Sequence, residues 1–140
     1  MSMLYYHADR LNYAVIGTGN KNEHDQGFFV KYGDGGADIK PIAHLFKTQV
    51  FQLAAALNIP KEIQGRIPTT DTYSAEQTQE EFFYRLPFDV MDTIWYGMEQ
   101  NVSSDEIANA LGLKIEQVEN VMADIKRKIA GTEYLRMNPI

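Results

Sequence analysis

The dense run of glycines between Gly17 and Gly36 constrains this chain more than any other feature. Gly17, Gly19, Gly27, Gly33, Gly35 and Gly36 follow one another closely, and each would cost about 1 kcal/mol inside a helix. The expectation is therefore a long loop reaching Asp38. Before it, residues 13–16 form a brief apolar run ending at Gly17, which reads as a short strand. Two glycine-rich segments result, Val15-Ile16-Gly17-Thr18-Gly19-Asn20-Lys21-Asn22-Glu23 and Phe28-Phe29-Val30-Lys31-Tyr32-Gly33-Asp34-Gly35-Gly36-Ala37-Asp38. They set a hydroxyl, carboxylates and lysines on loops just beyond a strand end, where open α/β sheets place nucleotide chemistry.

Around this loop the chain reads as helical. Residues 3–10 have the pattern of a helix end. Pro41 suits a first helical turn, and Ile42, Leu45, Phe46, Val50, Leu53, Ala54 and Leu57 recur at helical spacing until Asn58 and Pro60 stop them. A short turn at 61–65 leads into a polar loop over 66–79. Residues 88–99 are apolar at helical intervals, with Val90, Ile94 and Trp95 facing a core. Ser103 and Glu106 have capping-box spacing and open a helix that ends near Leu111-Gly112. Ile115, Val118, Val121, Met122 and Ile125 share one face of a last helix ending around Gly131. The fold class is α/β with one or two short parallel strands and a predominantly helical C-terminal part. Residues 1–71 carry the strand, loops and helix of the candidate site, and 72–140 the helical part.

At 140 residues the chain is one domain's worth. It contains no cysteine, which excludes disulfides, thiolate zinc sites and a cysteine nucleophile, and favours a cytoplasmic setting. The apolar runs are too short for a membrane span and no signal peptide is evident. A net charge of −6 argues against broad nucleic-acid binding.

Each candidate residue has a plainer reading. Gly17-x-Gly19 is part of a dinucleotide fingerprint, but Asn22 stands where the third glycine belongs, and an ordinary strand-end turn uses the same glycines. Glu23, His24 and Asp25 are consecutive loop residues, which rarely all face one ion. The 34–38 loop fails as an EF-hand, with Gly36 where a ligand is needed and Ile39 where the glycine is required. Lys31 and Lys47 are solubilising charges on base rates, raised by the glycine-rich loop beside the first and the helix terminus beside the second. Thr69 and Thr70 suit a turn or a cap.

Taken together and in order, Gly17 to Glu23, Gly27 to Ile42, Leu45-Phe46-Lys47-Thr48-Gln49-Val50 and Pro68-Thr69-Thr70-Asp71 resemble the NAD synthetases, ATP pyrophosphatases with an adenine-nucleotide α-hydrolase fold that work as homodimers. The resemblance covers the whole chain but only the C-terminal portion of the family's domain. It implies two-step amide synthesis: ATP adenylates the nicotinate carboxylate of deamido-NAD, and ammonia then displaces AMP to give NAD. Carried over by position, it implies that Thr18, Lys47 and Thr69 contact ATP, with Thr18 and Lys47 catalytic. Glu23 would ligate Mg2+, and Lys31 and Asp38 would hold deamido-NAD. The family's serine- and glycine-rich pyrophosphate loop is absent, so the expectation is a catalytically incomplete chain whose N-terminal half is missing. A basic pair near the family's C-terminus is replaced here by Glu133-Tyr134-Leu135-Arg136, with Arg136 a weak substitute.

Two other classes compete. Residues 103–129 have the outline of a helix-turn-helix, but Glu116, Gln117 and Glu119 occupy the start of the second helix, where phosphate would repel the two glutamates. A non-catalytic relative that keeps its nucleotide contacts is the third reading.

Overall fold

The computed structural model describes residues 1–70 and 77–138. The chain divides into two compact units, Met1–Phe46 with Arg127–Ile140, and Lys47–Lys126.

In the first unit, helix α1 (Ser2–Leu11) ends at Asn12, whose left-handed backbone (φ 56°) turns the chain. The expected strand at 13–16 contracts to one parallel bridge between Ile16 and Ile39. Asp38 N–H donates to the Val15 carbonyl (2.9 Å) and Gly17 N–H to that of Ile39 (2.8 Å). The Val15 N–H donates instead to the Asp38 side chain, Oδ2 at 2.7 Å. A carboxylate thus stands where another ladder partner would be.

The expected loop contains a helix, α2 (Lys21–Gln26), which corrects the reading of 17–38 as irregular. Asn20 and Glu23 form a full capping box at its start, and Gly27 ends it at φ 77°. The glycine density hid the helix because Gly27 acts as its stop signal. Asn20, Asn22 and Gln26 are buried.

The next helix also differs from expectation. Helix α3 spans Lys47–Ala56 and does not begin at Pro41. The Leu45 carbonyl, which an earlier helix start would have used internally, accepts the Lys21 N–H at 2.9 Å. Residues 41–44 form turns. Lys47 consequently stands at the first position of α3.

The second unit continues with α4 (Lys61–Gln64), a π-helical turn (Glu80–Tyr84), α5 (Phe88–Glu99) and α6 (Ser104–Leu111). Helix α7 (Ile115–Gly131) carries the chain out of this unit, and α8 (Glu133–Arg136) follows in the first. Ser103 and Glu106 cap α6 reciprocally, and Gly112 closes it at φ 65°. Ile94, Ile107, Ala108 and Val118 form a buried core, with Val90, Leu111, Leu113, Val121 and Met122 packed against it. Gly97 belongs to this packing: a Cβ there would lie 2.6 Å from Ile107 Cδ1. Trp95 is buried as expected. No helix among the described residues is long and apolar enough to cross a membrane.

Candidate active site

The capping box that starts α2 also fixes Glu23. Its Oε2 accepts the Asn20 N–H at 3.0 Å, while Asn20 Oδ1 accepts the Glu23 N–H at 3.2 Å. Glu23 lines a hollow with Gly19, His24, Phe29, Asp34, Gly35 and Lys40. Its volume is about 20 Å3, room for a water or a small cation. His24 stacks on Phe29 at 5.9 Å, and the Lys40 ammonium lies 5.5 Å from the centre of the same ring. His24 Nδ1 is 3.0 Å from Asp25 Oδ1, and Lys21 pairs with Asp25 Oδ2 at 2.9 Å. The consecutive side chains of 23–25 therefore have different jobs.

Sequence reasoning singles out neither Lys40 nor Phe29, and it weighs His24 only as a metal ligand. They converge only because the 33–36 turn folds back: Gly33 and Gly35 N–H groups both donate to the Val30 carbonyl, at 2.9 and 3.0 Å. A Cβ on Gly35 would collide with the Phe29 ring. Among the described residues no three His, Cys, Asp or Glu side chains gather as metal ligands. Magnesium commonly accepts one or two protein carboxylates beside phosphate and water oxygens, so Glu23 is able to serve as one ligand.

Thr18, exposed on the loop before α2, lies in this unit, as do Lys31 and Asp38. Lys31 Nζ donates to two main-chain oxygens near the C-terminus, Tyr134 O at 3.0 Å and Met137 O at 2.6 Å. An ammonium has three protons, so one N–H is left over from these two contacts. Asp38 Oδ2 is held by Val15 N–H, and its Oδ1 meets the Tyr5 hydroxyl at 3.5 Å. Partial desolvation, then the Asp38 charge, raises the Tyr5 phenol above its ordinary value.

Arg136 has a structural role. Its Nη1 donates to His24 O (3.2 Å), Asp25 O (2.8 Å) and Thr132 Oγ1 (3.0 Å), and its Nη2 to Ile129 O (2.5 Å). The guanidinium ties the end of α2 to the end of α7, a use that no local pattern in 133–136 announces.

Lys47 and Thr69 belong to the second unit. Lys47 Nζ lies 5.8 Å from the centre of the Phe88 ring. Thr48, beside it, donates both its N–H (2.9 Å) and its hydroxyl (2.8 Å) to Asp92 Oδ2 on α5. Thr69 is exposed and bridges Thr78 in antiparallel register, within the segment expected to be a loop. Asp71, which closes the Pro68 to Asp71 motif, lies outside the described residues. In the α6–α7 hairpin, Ser104 Oγ donates to Glu119 at 3.2 Å, so this carboxylate braces the two helices.

Comparison with known proteins agrees over nearly the whole chain. The family model described as NAD synthase matches residues 1–139. The NH3-dependent NAD(+) synthetase of Rhizobium meliloti (strain 1021) is 58% identical over 135 residues, covering 96% of this chain and 40% of that protein. The same-named protein of Rhizobium rhizogenes is 54% identical over 138 residues, with 99% and 42% covered. Among solved structures, an NMN synthetase from Francisella tularensis aligns with a TM-score of 0.67 at 29% identity, over 99% of this chain and 50% of that one. An NH3-dependent NAD synthetase from Campylobacter jejuni aligns at 0.65 and 25% identity, over 100% and 49%. The chain thus spans about half or less of the length of these relatives.

Proposed function

Because the chain belongs to the NAD synthase family, we propose that it supplies the C-terminal portion of a site that makes NAD from deamido-NAD, ATP and ammonia. A carboxylate repels nucleophiles, so the nicotinate must first be adenylated, with loss of pyrophosphate. Ammonia then adds to the activated carbonyl and AMP leaves. The observation that carries this reading is a likeness that runs through residues 1–139 and includes every candidate site residue. Relatives named NAD(+) synthetase at 58% and 54% identity support the dinucleotide as substrate.

Lys47 supplies a point charge for the developing pyrophosphate, and Thr18 and Thr69 give hydroxyl contacts to ATP. Glu23 fits as a single carboxylate ligand for Mg2+, pre-oriented by the Asn20 N–H. Bound magnesium would neutralise phosphate charge. Lys31 keeps one N–H for deamido-NAD, and Asp38 Oδ1, which meets the Tyr5 hydroxyl, keeps a second lone pair for it. Ammonia must arrive from outside the chain, which has no cysteine for a glutaminase nucleophile. We place the completed protein in the cytoplasm as a homodimer, without nucleic-acid or membrane partners.

The test supplies deamido-NAD, ATP, Mg2+ and ammonia to this chain alone and to the chain completed with the N-terminal half of the Rhizobium meliloti relative. Activity is expected only from the completed protein. NAD formation by the chain alone would overturn its incompleteness. Binding of ATP and deamido-NAD without turnover in the completed protein would replace an enzyme with a non-catalytic relative.

A further inference from the structure

Asp92 is a carboxylate with 4% of its surface exposed, on a face of α5 that also carries the buried Phe88, Met91 and Trp95. Burying a carboxylate is expensive unless its oxygens are hydrogen-bonded. Asp92 Oδ2 meets that demand at the first turn of α3, accepting both the N–H and the hydroxyl of Thr48. It therefore acts as a capping side chain for α3 contributed by another helix, and its charge suits that positive end. One turn earlier on the same face of α5 is Phe88, whose ring lies 5.8 Å from Lys47 Nζ. Phe88 is itself fixed: Glu80 Oε1 accepts its N–H at 2.7 Å, and Tyr84 and Phe51 meet its ring at 5.2 and 6.4 Å.

We infer that Asp92 is the positioning residue for Lys47. The pair Phe88 and Asp92 holds the start of α3 at two points. Asp92 fixes the backbone one residue beyond Lys47, and the Phe88 ring meets the lysine's own ammonium. A lysine has four rotatable side-chain bonds, so without a fixed stem its charge would be spread over many positions. Asp92 touches no reacting group in this account and acts only through Lys47. Its catalytic consequence rests on the proposed ATP role of Lys47; its effect on the lysine's position does not.

The test therefore has two readouts. The first follows Lys47 in the full chain, reductively 13C-methylated and assigned through its loss in Lys47→Met. Its methyl signal is expected to be displaced from those of exposed lysines by the Phe88 ring, to lose that displacement in Asp92→Ala, and to recover much of it in Asp92→Asn. An unmoved Lys47 signal in a folded Asp92→Ala would overturn the inference. Should that variant not fold, Thr48→Ala and Asp92→Asn carry the same comparison.

The second readout is NAD formation by the completed protein. Asp92→Ala is expected to lower kcat by about 10- to 100-fold with the KM for ammonia unchanged, and to cost nothing further in a Lys47→Met background. Losses that multiply would overturn the inference. A completed protein that makes no NAD would instead overturn the functional reading, with the lysine spectrum still deciding Asp92.

Discussion

Replacing Gly27 with alanine probes the join between α2 and the C-terminal segment. Gly27 has φ 77°, and an L-residue held in that region costs about 1–2 kcal/mol. A Cβ there would also lie 2.5 Å from both Thr132 Cγ2 and Oγ1. Thr132 is poorly placed to yield, because its hydroxyl donates to Lys128 O at 2.7 Å and accepts from Arg136 at 3.0 Å. Overpacking of this kind adds about 1–3 kcal/mol, so Gly27→Ala should cost about 2–5 kcal/mol. At this chain length that lowers Tm by about 5–15 °C, measured by circular dichroism with urea unfolding as a check. Adding Thr132→Gly removes the collision but leaves the backbone cost, so the double mutant should recover about 1–3 kcal/mol relative to additivity. A Gly27→Ala variant that melts like the wild type would refute the conformational argument, and strict additivity would refute the role of Thr132.

Arg136→Met keeps the aliphatic stem but loses four hydrogen bonds, and should cost about 2–4 kcal/mol after allowing for solvent exposure, read by urea unfolding. Glu23→Gln keeps an amide oxygen for the Asn20 N–H, so it should weaken the α2 cap by only about 0.3–1 kcal/mol through the lost charge, and it should raise the Mg2+ concentration needed for half-maximal NAD formation by the completed protein. Lys47→Met should lower kcat of that protein by about 100- to 1000-fold. Glu81 accepts hydrogen bonds from the Thr78 N–H and hydroxyl, at 3.2 and 3.0 Å, and the backbone bond leads in holding its carboxyl below the ordinary 4.5. Its contribution is complete above the unfolded value and lost as pH falls through the lower folded value. Glu81→Gln should therefore flatten the acid side of the stability curve.

Helices whose signals are local were readable. Helix α5 follows its apolar period, while α6 and α7 are bounded by the Ser103–Glu106 box, Gly112 and Gly131. Where a distant group competes, the pattern misleads. Ile42, Leu45 and Phe46 continue the helical period of α3, but the Leu45 carbonyl is taken by Lys21. Helix α2 carries the same capping box as α6 and was masked by the surrounding glycines. At the candidate site, the resemblance to the NAD synthetases drew attention to Glu23, Lys31, Asp38 and Lys47. It could not reveal Lys40 beside Phe29, which depends on the 33–36 turn, or Arg136 as a tie, because its acceptors are mostly main-chain oxygens.

The tether of Lys31 carries a consequence for how this family can vary. Lys31 reads the carbonyls of residues 134 and 137, not their side chains. Substitution at either position leaves the acceptor in place, so selection through Lys31 should be nearly blind to amino-acid identity there. A one-residue insertion or deletion between 131 and 138 would shift both oxygens together. Among relatives that keep this lysine, positions 134 and 137 should drift freely in composition while the length of the segment stays fixed.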